Sequence, residues 1–399
     1  MKQNILIGQS GGPSAAINAS LAGIIRQAMC DVNVGEIYGA LHGMEGVLNR
    51  RLLSLRSFFH TGADFERLIA TPSMALGSCR YKLPAEGEEY EIIRTVFEEY
   101  DIGSFFYIGG NDSMDTVQKL SAYFAETGVP VRCIGIPKTI DNDLCHTDHT
   151  PGFGSAARYV ASTVAEIGCD SAIYDLPSVT VIEIMGRNAG WLTAAAALAR
   201  HGRGTAPHLI YLPEVPFEPE ACVLRTEELL HTERNVVIAV SEGIRSADGR
   251  CLADRAQTQT DAFGHGILSG AGRTLADLLG EQLGCKTRAI ELNVMQRSAA
   301  HLTSAVDLRE AYEIGAYGVK LAARGESGVM ASIRRVADGP YLVRHEAVPV
   351  ARVANRERKV PKEWIAVSGD DITPEMLSYL RPIVYTEAEN TDADFFHFA

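Results

Sequence analysis

Residues 137–143, PKTIDND, set Lys138 three residues before Asp141 and five before Asp143, directly after the apolar run 131–136. A carboxylate in such a loop can take a proton from a substrate hydroxyl. A compact cation beside it can stabilise charge that develops on a transferring group. The plain alternative is a solvated turn whose Thr and Asp side chains bond to the backbone. Other short stretches pair glycines with one polar or charged residue of suitable type. GQSGGPSAAIN (8–18) holds Gly11 and Gly12 before a helix, where backbone can approach an anion closely. YIGGNDS (107–113) holds Asn111 and Asp112, IMGRNAGWL (184–192) holds Arg187, and VSEGI (240–244) holds Glu242. GSCRYKL (77–83) adds Arg80 and Lys82, and MQRSAAH (295–301) adds Arg297. Taken singly, each reads as a tight turn, a helix cap or a surface charge. Their repetition points to phosphoryl transfer onto a hydroxyl of a phosphorylated, polyhydroxylated small molecule, with arginines suited to phosphate.

The elements that must carry these clusters are legible as strand–helix alternation. NILIG (4–8), FFYIGG (105–110), VRCIGI (131–136), SVTVIEIM (178–185), HLIYL (208–212) and NVVIAVSEG (235–243) read as strands. Helical patterns cover 15–29 and 112–127, the second stopped by Gly128 and Pro130. Near-continuous apolar strands between helices predict an α/β protein of two doubly wound, Rossmann-like domains, with parallel sheets covered by helices on both faces. Ligands in such sheets gather outside the carboxyl ends of strands, where the polar clusters fall. The segment 144–157 is the best first domain boundary. The loop-like stretch 243–272 reads as a second crossing. Beyond about residue 345 the chain is proline-punctuated and polar, which predicts an extended C-terminal segment.

Bulk composition narrows the class. At 399 residues the chain is long enough for two domains, and 46% apolar content excludes a disordered protein. A net charge of −13 argues against a nucleic-acid or anionic-membrane partner, so an anionic substrate needs a local cluster of cations. Eight scattered cysteines without zinc spacing or a C-x-x-C pair predict reduced, mostly buried thiols in a cytosolic protein. The N-terminal apolar run is short and broken early by glycines, unlike a signal sequence, and TAAAALA (193–199) is far below membrane-spanning length.

In this order SGGPSAAIN, GGNDS, KTIDND, MGRNAG, SEG and MQRSA resemble the motifs of the phosphofructokinase family over most of the chain. Within it the chain resembles the pyrophosphate-dependent branch. ATP-using members generally have Gly where this chain has Asp112, and a small residue where it has Lys138. The resemblance implies reversible phosphoryl transfer from pyrophosphate to the 1-hydroxyl of fructose 6-phosphate, in glycolysis and gluconeogenesis. It also implies Mg2+, a cytoplasmic location and a homodimer or homotetramer. Asp141 then resembles the base, and Lys138 a transition-state cation that substitutes for part of ATP. Thr139, Met185, Gly186, Arg187, Glu242 and Arg297 resemble the sugar-phosphate site, with Ile140 and Val294 as further expected substrate-binding positions. Gly11 and Arg80 resemble the donor site, with Asp112 and Lys138 setting donor choice.

Three positions depart from the family pattern. Asn111 stands where many members have a magnesium-binding Asp, so metal ligation is weaker or shared with Asp143. Ser178 stands where bacterial ATP enzymes have an Arg that reaches across a subunit interface, and Val294 replaces a usual His or Tyr. The implied domains are 1–150 plus about 271–345 for the donor, and 151–270 for the sugar phosphate, with about 346–399 packing on the latter. An ATP-dependent 6-phosphofructokinase that tolerates Asp112 and Lys138 is the nearest alternative. A dinucleotide-binding oxidoreductase lacks its G-x-G-x-x-G turn and ribose-binding acid here. A catalytically inactive metabolite sensor is opposed by retention of Asp141 and Arg187.

Overall fold

Along the strand Gln3–Gln9 (β1), Ile5 and Ile7 enter one core while Leu6 enters another, and all three are buried. The same alternation separates Phe106 and Ile108 from Phe105 and Tyr107, and Ile134 and Ile136 from Cys133. These strands are therefore apolar on both faces, as a sheet covered by helices on both sides requires. The computed structural model describes residues 2–200, 205–253, 270–386 and 389. They divide into unit 1, residues 1–155 and 297–358, and unit 2, residues 156–296 and 359–399.

Unit 1 is built on a seven-stranded sheet. Its strands are β1, Val34–Ala40 (β2), Leu52–Ser54 (β3), Ile102–Gly109 (β4), Arg132–Pro137 (β5) and, after the chain has passed through unit 2, two more. Those of unit 2 are Ser178–Ile184 (β6), Leu209–Tyr211 (β7), Asn235–Ser241 (β8) and Lys286–Glu291 (β9). The last two strands of unit 1 are Val329–Asp338 (β10) and Tyr341–Pro349 (β11). The order in unit 1 is β11-β10-β5-β4-β1-β2-β3. The chain runs outward from β1 to β2, then returns to β4 on the other side of β1, which makes the β1/β4 gap a topological switch point. Helices Ile17–Cys30 and Ala305–Ala323 supply Ile24, Ile25 and Ile314 to one core, and helices Glu89–Glu99 and Asn111–Thr127 supply Phe97, Leu120 and Phe124 to the other. Each such large apolar side chain contributes about 1.5–3 kcal/mol when fully buried.

The sheet is mixed where the sequence predicts parallel strands throughout. β3 lies antiparallel on β2, and β11 lies antiparallel on β10, so both edges are capped by reversed strands. The β10–β11 hairpin alternates half-buried and exposed residues in its outer part, a pattern its charged residues conceal from an apolar-run reading.

Unit 2 carries a parallel sheet of order β7-β8-β6-β9. Val179, Val181, Ile238 and Val240 pack there with Leu275 and Leu279 of the helix Ala271–Leu283. That helix and β9 belong to unit 2, so the return to unit 1 falls at Arg297 and not near residue 271 or within 243–272. The reason is pairing: β9 hydrogen-bonds β6 along six residues. Residues 346–349 likewise stay in unit 1 because they complete β11. Part of the 243–272 stretch, 254–269, lies outside the described residues. The C-terminal part is not simply extended. The helix Pro374–Val384 buries Met376, Leu380, Ile383 and Val384, and Trp191 meets Trp364 edge-on at 6.1 Å. Only Cys79, Cys133 and Cys222 among the eight free thiols are buried, with Cys30 exposed and the others half-buried, so the expectation of mostly buried thiols is too strong. No helix among the described residues is long and apolar enough to cross a membrane.

Candidate active site

At the carboxyl end of β1 the chain turns sharply at Gly11, whose φ of +79° lies in the left-handed region that favours glycine. A Cβ there would also come within 3.3 Å of Lys138 Nζ. Ser78 Oγ donates to the Gly11 carbonyl at 2.7 Å, which ties the loop that carries Arg80 to this turn. Arg80 and Lys82 are exposed.

Lys138 follows β5, and its backbone N–H continues the sheet by donating to Gly109 at 3.0 Å. Its side chain is only 2% exposed, and Nζ donates to the Gly12 carbonyl. The cation thus spans from the end of β5 to the turn after β1. Burial pushes its pKa down to about 8, partly opposed by Asp141, while Arg297 pushes the same way as burial and Asp143 against it.

Asp141 is set by its neighbours in the loop. Its N–H donates to Thr139 Oγ at 3.0 Å. Thr139 itself is clamped by the returning leg: its N–H donates to Pro151 O at 3.2 Å, and Thr150 Oγ donates to its carbonyl at 2.8 Å. Asn142, at φ 55° and fully buried, accepts from Thr150 N at 3.1 Å. Ile140 is buried between these two polar positions. Asp143 titrates well above the usual carboxylate range, first through burial and then through the negative charge of Asp141.

On the adjacent strand end, Asn111 and Asp112 open the helix Asn111–Thr127. Ser113 Oγ lies 2.8 Å from Ser10 Oγ and ties this turn to the one after β1. Asp112 Oδ1 faces Lys82 Nζ at 3.8 Å, a partner not anticipated when Asp112 is considered with Lys138. Asn111 Oδ1 is buried without a hydrogen-bond partner. A buried neutral oxygen in want of a partner is a ligand type that a hard divalent cation accepts, and Asp143, in the loop six residues past β5, offers a carboxylate of the same oxygen class. Among the described residues no group of three or more His, Cys, Asp or Glu forms a closed metal cage.

In unit 2 the turn after β6 carries Met185, Gly186 and Arg187. Gly186 has φ 141°, and a Cβ on it would lie 2.6 Å from Ala189 O. Gly186 N donates to Glu242 Oε1 at 3.4 Å, and Ser241 Oγ donates to the Gly186 carbonyl, so the ends of β6 and β8 are stitched together. Gly243 packs against the Arg187 backbone, where a Cβ would sit 1.8 Å from its carbonyl oxygen. Arg187 and Glu242 are half-buried, and Val294, past the end of β9, is 61% exposed. Ser178 begins β6, at the opposite end of the strand from this turn.

Unit 1 therefore contains Gly11, Arg80, Asn111, Asp112, Lys138, Thr139, Ile140, Asp141, Asp143 and Arg297, while unit 2 contains Met185, Gly186, Arg187, Glu242 and Val294. Arg297, grouped by sequence with the sugar-phosphate residues, shares its unit with Lys138 and acts on its charge. Sequence reasoning missed the supports in unit 2. Glu214 accepts Gly190 N at 2.9 Å and Val360 N at 3.0 Å, and Gln296 Oε1 accepts Met185 N at 3.3 Å. A lone acid directly after the apolar HLIYLP was the only available signal for Glu214.

The family model described as phosphofructokinase matches residues 4–322. A pyrophosphate–fructose 6-phosphate 1-phosphotransferase of Halomonas elongata is 41% identical over 97% of this chain and 93% of its own. One of the same name from Methylococcus capsulatus is 40% identical, covering 96% of this chain and 92% of its own. The crystal structure of a pyrophosphate-dependent phosphofructokinase from Nitrosospira multiformis superposes with a TM-score of 0.88 at 34% identity, covering 99% of this chain and 95% of that one. By the match over residues 4–322 and the 40–41% identity to these relatives over nearly its whole length, this chain belongs to the phosphofructokinase family.

Proposed function

We propose that the protein transfers a phosphoryl group from pyrophosphate to the 1-hydroxyl of fructose 6-phosphate, reversibly, giving fructose 1,6-bisphosphate and phosphate. The observation that carries the reading is Lys138, a 2%-exposed cation held on the Gly12 carbonyl beside the Gly11 turn, at the β1/β4 switch point. A fixed cation there supplies charge where an ATP enzyme would leave room for nucleotide. Asp141 takes the proton of the attacking hydroxyl. Lys138 stabilises charge on the phosphoryl group in flight. Gly11 and Arg80 hold the donor, Met185, Gly186, Arg187 and Glu242 hold the sugar phosphate, and Thr139 with Ile140 shapes the loop beneath Asp141. Arg297 and Val294 complete the substrate contacts. Asn111, with Asp143, would hold a Mg2+ ion, whose chemistry would be to neutralise phosphate oxygens. Unit 1 is then the donor unit and unit 2 the sugar-phosphate unit, in a cytoplasmic homo-oligomer. The exposed apolar residues Ile173, Tyr174 and Leu176 of unit 2 support self-association, which light scattering would measure.

Donor choice tests the reading. With fructose 6-phosphate as acceptor, pyrophosphate is expected to exceed ATP by roughly 100-fold or more in kcat/KM, because Asp112 repels a longer polyphosphate. Lys138→Gly should abolish most pyrophosphate turnover, and Asp112→Gly alone should leave ATP still hindered by Lys138. Only the double change should bring appreciable ATP use, a non-additive outcome for residues that act on one ligand. A parent enzyme that prefers ATP, or a Lys138→Gly variant that uses pyrophosphate as well as the parent, would overturn the proposal.

A further inference from the structure

His149 lies on the returning leg of the loop that carries Asp141, and the reaction as described makes no use of it. The side chain is 1% exposed, yet both ring nitrogens meet carboxylates: Nδ1 lies 2.8 Å from Asp148 Oδ1 and Nε2 lies 2.5 Å from Glu310 Oε2. With both carboxylates ionised, two acceptors on two ring nitrogens are satisfied by the doubly protonated imidazolium. Burial opposes that charge, but Glu310 and Asp148 hold the ring protonated up to a pKa of about 9. The charged groups around it come from every packed element. Asp148 belongs to its own loop, Glu310 and Asp307 to the helix Ala305–Ala323, and Arg335 of β10 donates to Asp148 at 3.0 Å. Arg358 donates to the Asp148 carbonyl, and Tyr341 of β11 stands near Glu310.

The next two residues after His149 are those that clamp Thr139. Thr150 donates to the Thr139 carbonyl and to Asn142, and the Pro151 carbonyl accepts Thr139 N–H, while Thr139 Oγ in turn accepts the Asp141 N–H. One residue further on, Gly152 N donates to Asp307 at 2.8 Å, so the same helix grips the leg on both sides of the Thr150–Pro151 clamp. We propose that His149 is a positioning residue for Asp141: as an imidazolium bridging Asp148 and Glu310, it fixes the strand of loop against which Thr139 and Asp141 are set. This inference rests on Asp141 being the base.

Removal of the ring by His149→Ala would leave the buried Glu310 carboxylate without its cationic partner and can cost the fold itself. Two isosteric changes therefore carry the test, Glu310→Gln and Asp148→Asn, each of which removes one charge and keeps the volume. In the full-length enzyme, kcat per folded molecule should fall roughly 5- to 50-fold, below the ~100-fold that a 1 Å misplacement can cost. KM for both substrates should stay near the parent values. The deficit relative to the parent should shrink as pH is lowered from about 8.5 to 6.5, since a ring with one carboxylate partner charges only at lower pH. A purely structural role would lower Tm and leave kcat alone. Unchanged kcat, a deficit that ignores pH, or failure of both variants to fold would each overturn the proposal. Asp141→Ser, assayed alongside, separates the two readings. If it retains turnover the base assignment is wrong, and if it loses turnover while the isosteric variants keep theirs, only the role of His149 is wrong.

Discussion

The glycine turns at the ends of β1 and β6 handle their cations in opposite ways. After β1 the cation arrives from another strand: Lys138 is almost fully buried and bound to a backbone carbonyl of the turn. After β6 the cation belongs to the turn itself: Arg187 is half-buried, and its backbone is pressed against Gly243. Burial strips water from Lys138 and makes its charge sensitive to every neighbour, which suits a group that must respond to charge appearing during reaction. Arg187 presents a planar guanidinium fork, which suits capture of a phosphate already present in the ground state. On the proposed reading, the contrast separates a residue for kcat from one for KM.

The loop that carries Lys138 should show the largest effect. Asp141→Ser is expected to lower kcat by roughly 10²–10⁴-fold, the usual span for loss of a general base. Circular dichroism should show little change in fold, because the Asp141 N–H to Thr139 Oγ bond is made by backbone and survives. Turnover near the parent value would remove the base from this loop and with it the reason for a tuned lysine beside it.

Arg187→Ala should act on the other side of the comparison. A charge-assisted bond contributes about 1.5–3 kcal/mol, so KM for fructose 6-phosphate is expected to rise roughly 10- to 100-fold, with kcat and the pyrophosphate KM changed far less. Steady-state kinetics with each substrate varied in turn reads this directly. A rise confined to the pyrophosphate KM would put Arg187 on the donor and break the proposed division of labour.

The halves of this comparison were not equally legible in the sequence. Strand ends were, because β1, β4, β5, β6 and β8 are largely buried on both faces and read as near-continuous apolar runs, so each polar cluster could be assigned to a carboxyl end. Half-exposed strands were not. β9 reads KTRAIE, and much of β10 and β11 alternates charge with apolar residues, so the edge hairpin and the return at Arg297 went unseen. Lys138 could be named, but its burial depends on a contact to Gly12 across 126 positions of sequence. The Asp112–Lys82 pair and the His149–Glu310 bridge are also long-range, and no local pattern announces them.

The smallest expected effect concerns pH. Burial lowers the pKa of Lys138 to about 8 in the protein without substrate, so the side chain is cationic below that value and neutral above it. Activity that needs the cation must therefore decline as pH rises, and kcat/KM for pyrophosphate reports the free enzyme. Between pH 7.5 and 8.5 that constant should fall by ~3-fold for one titrating group. The limb in kcat should lie at higher pH, since a bound anionic donor favours the charged lysine. Arg297 repels Lys138 and so contributes to the lowered pKa. Arg297→Ala should accordingly move the kcat/KM limb to higher pH, whereas Arg187→Ala should leave its position alone. A parent profile flat to pH 10, or a limb that moves in Arg187→Ala instead, would mean that the tuned cation of this enzyme is not Lys138.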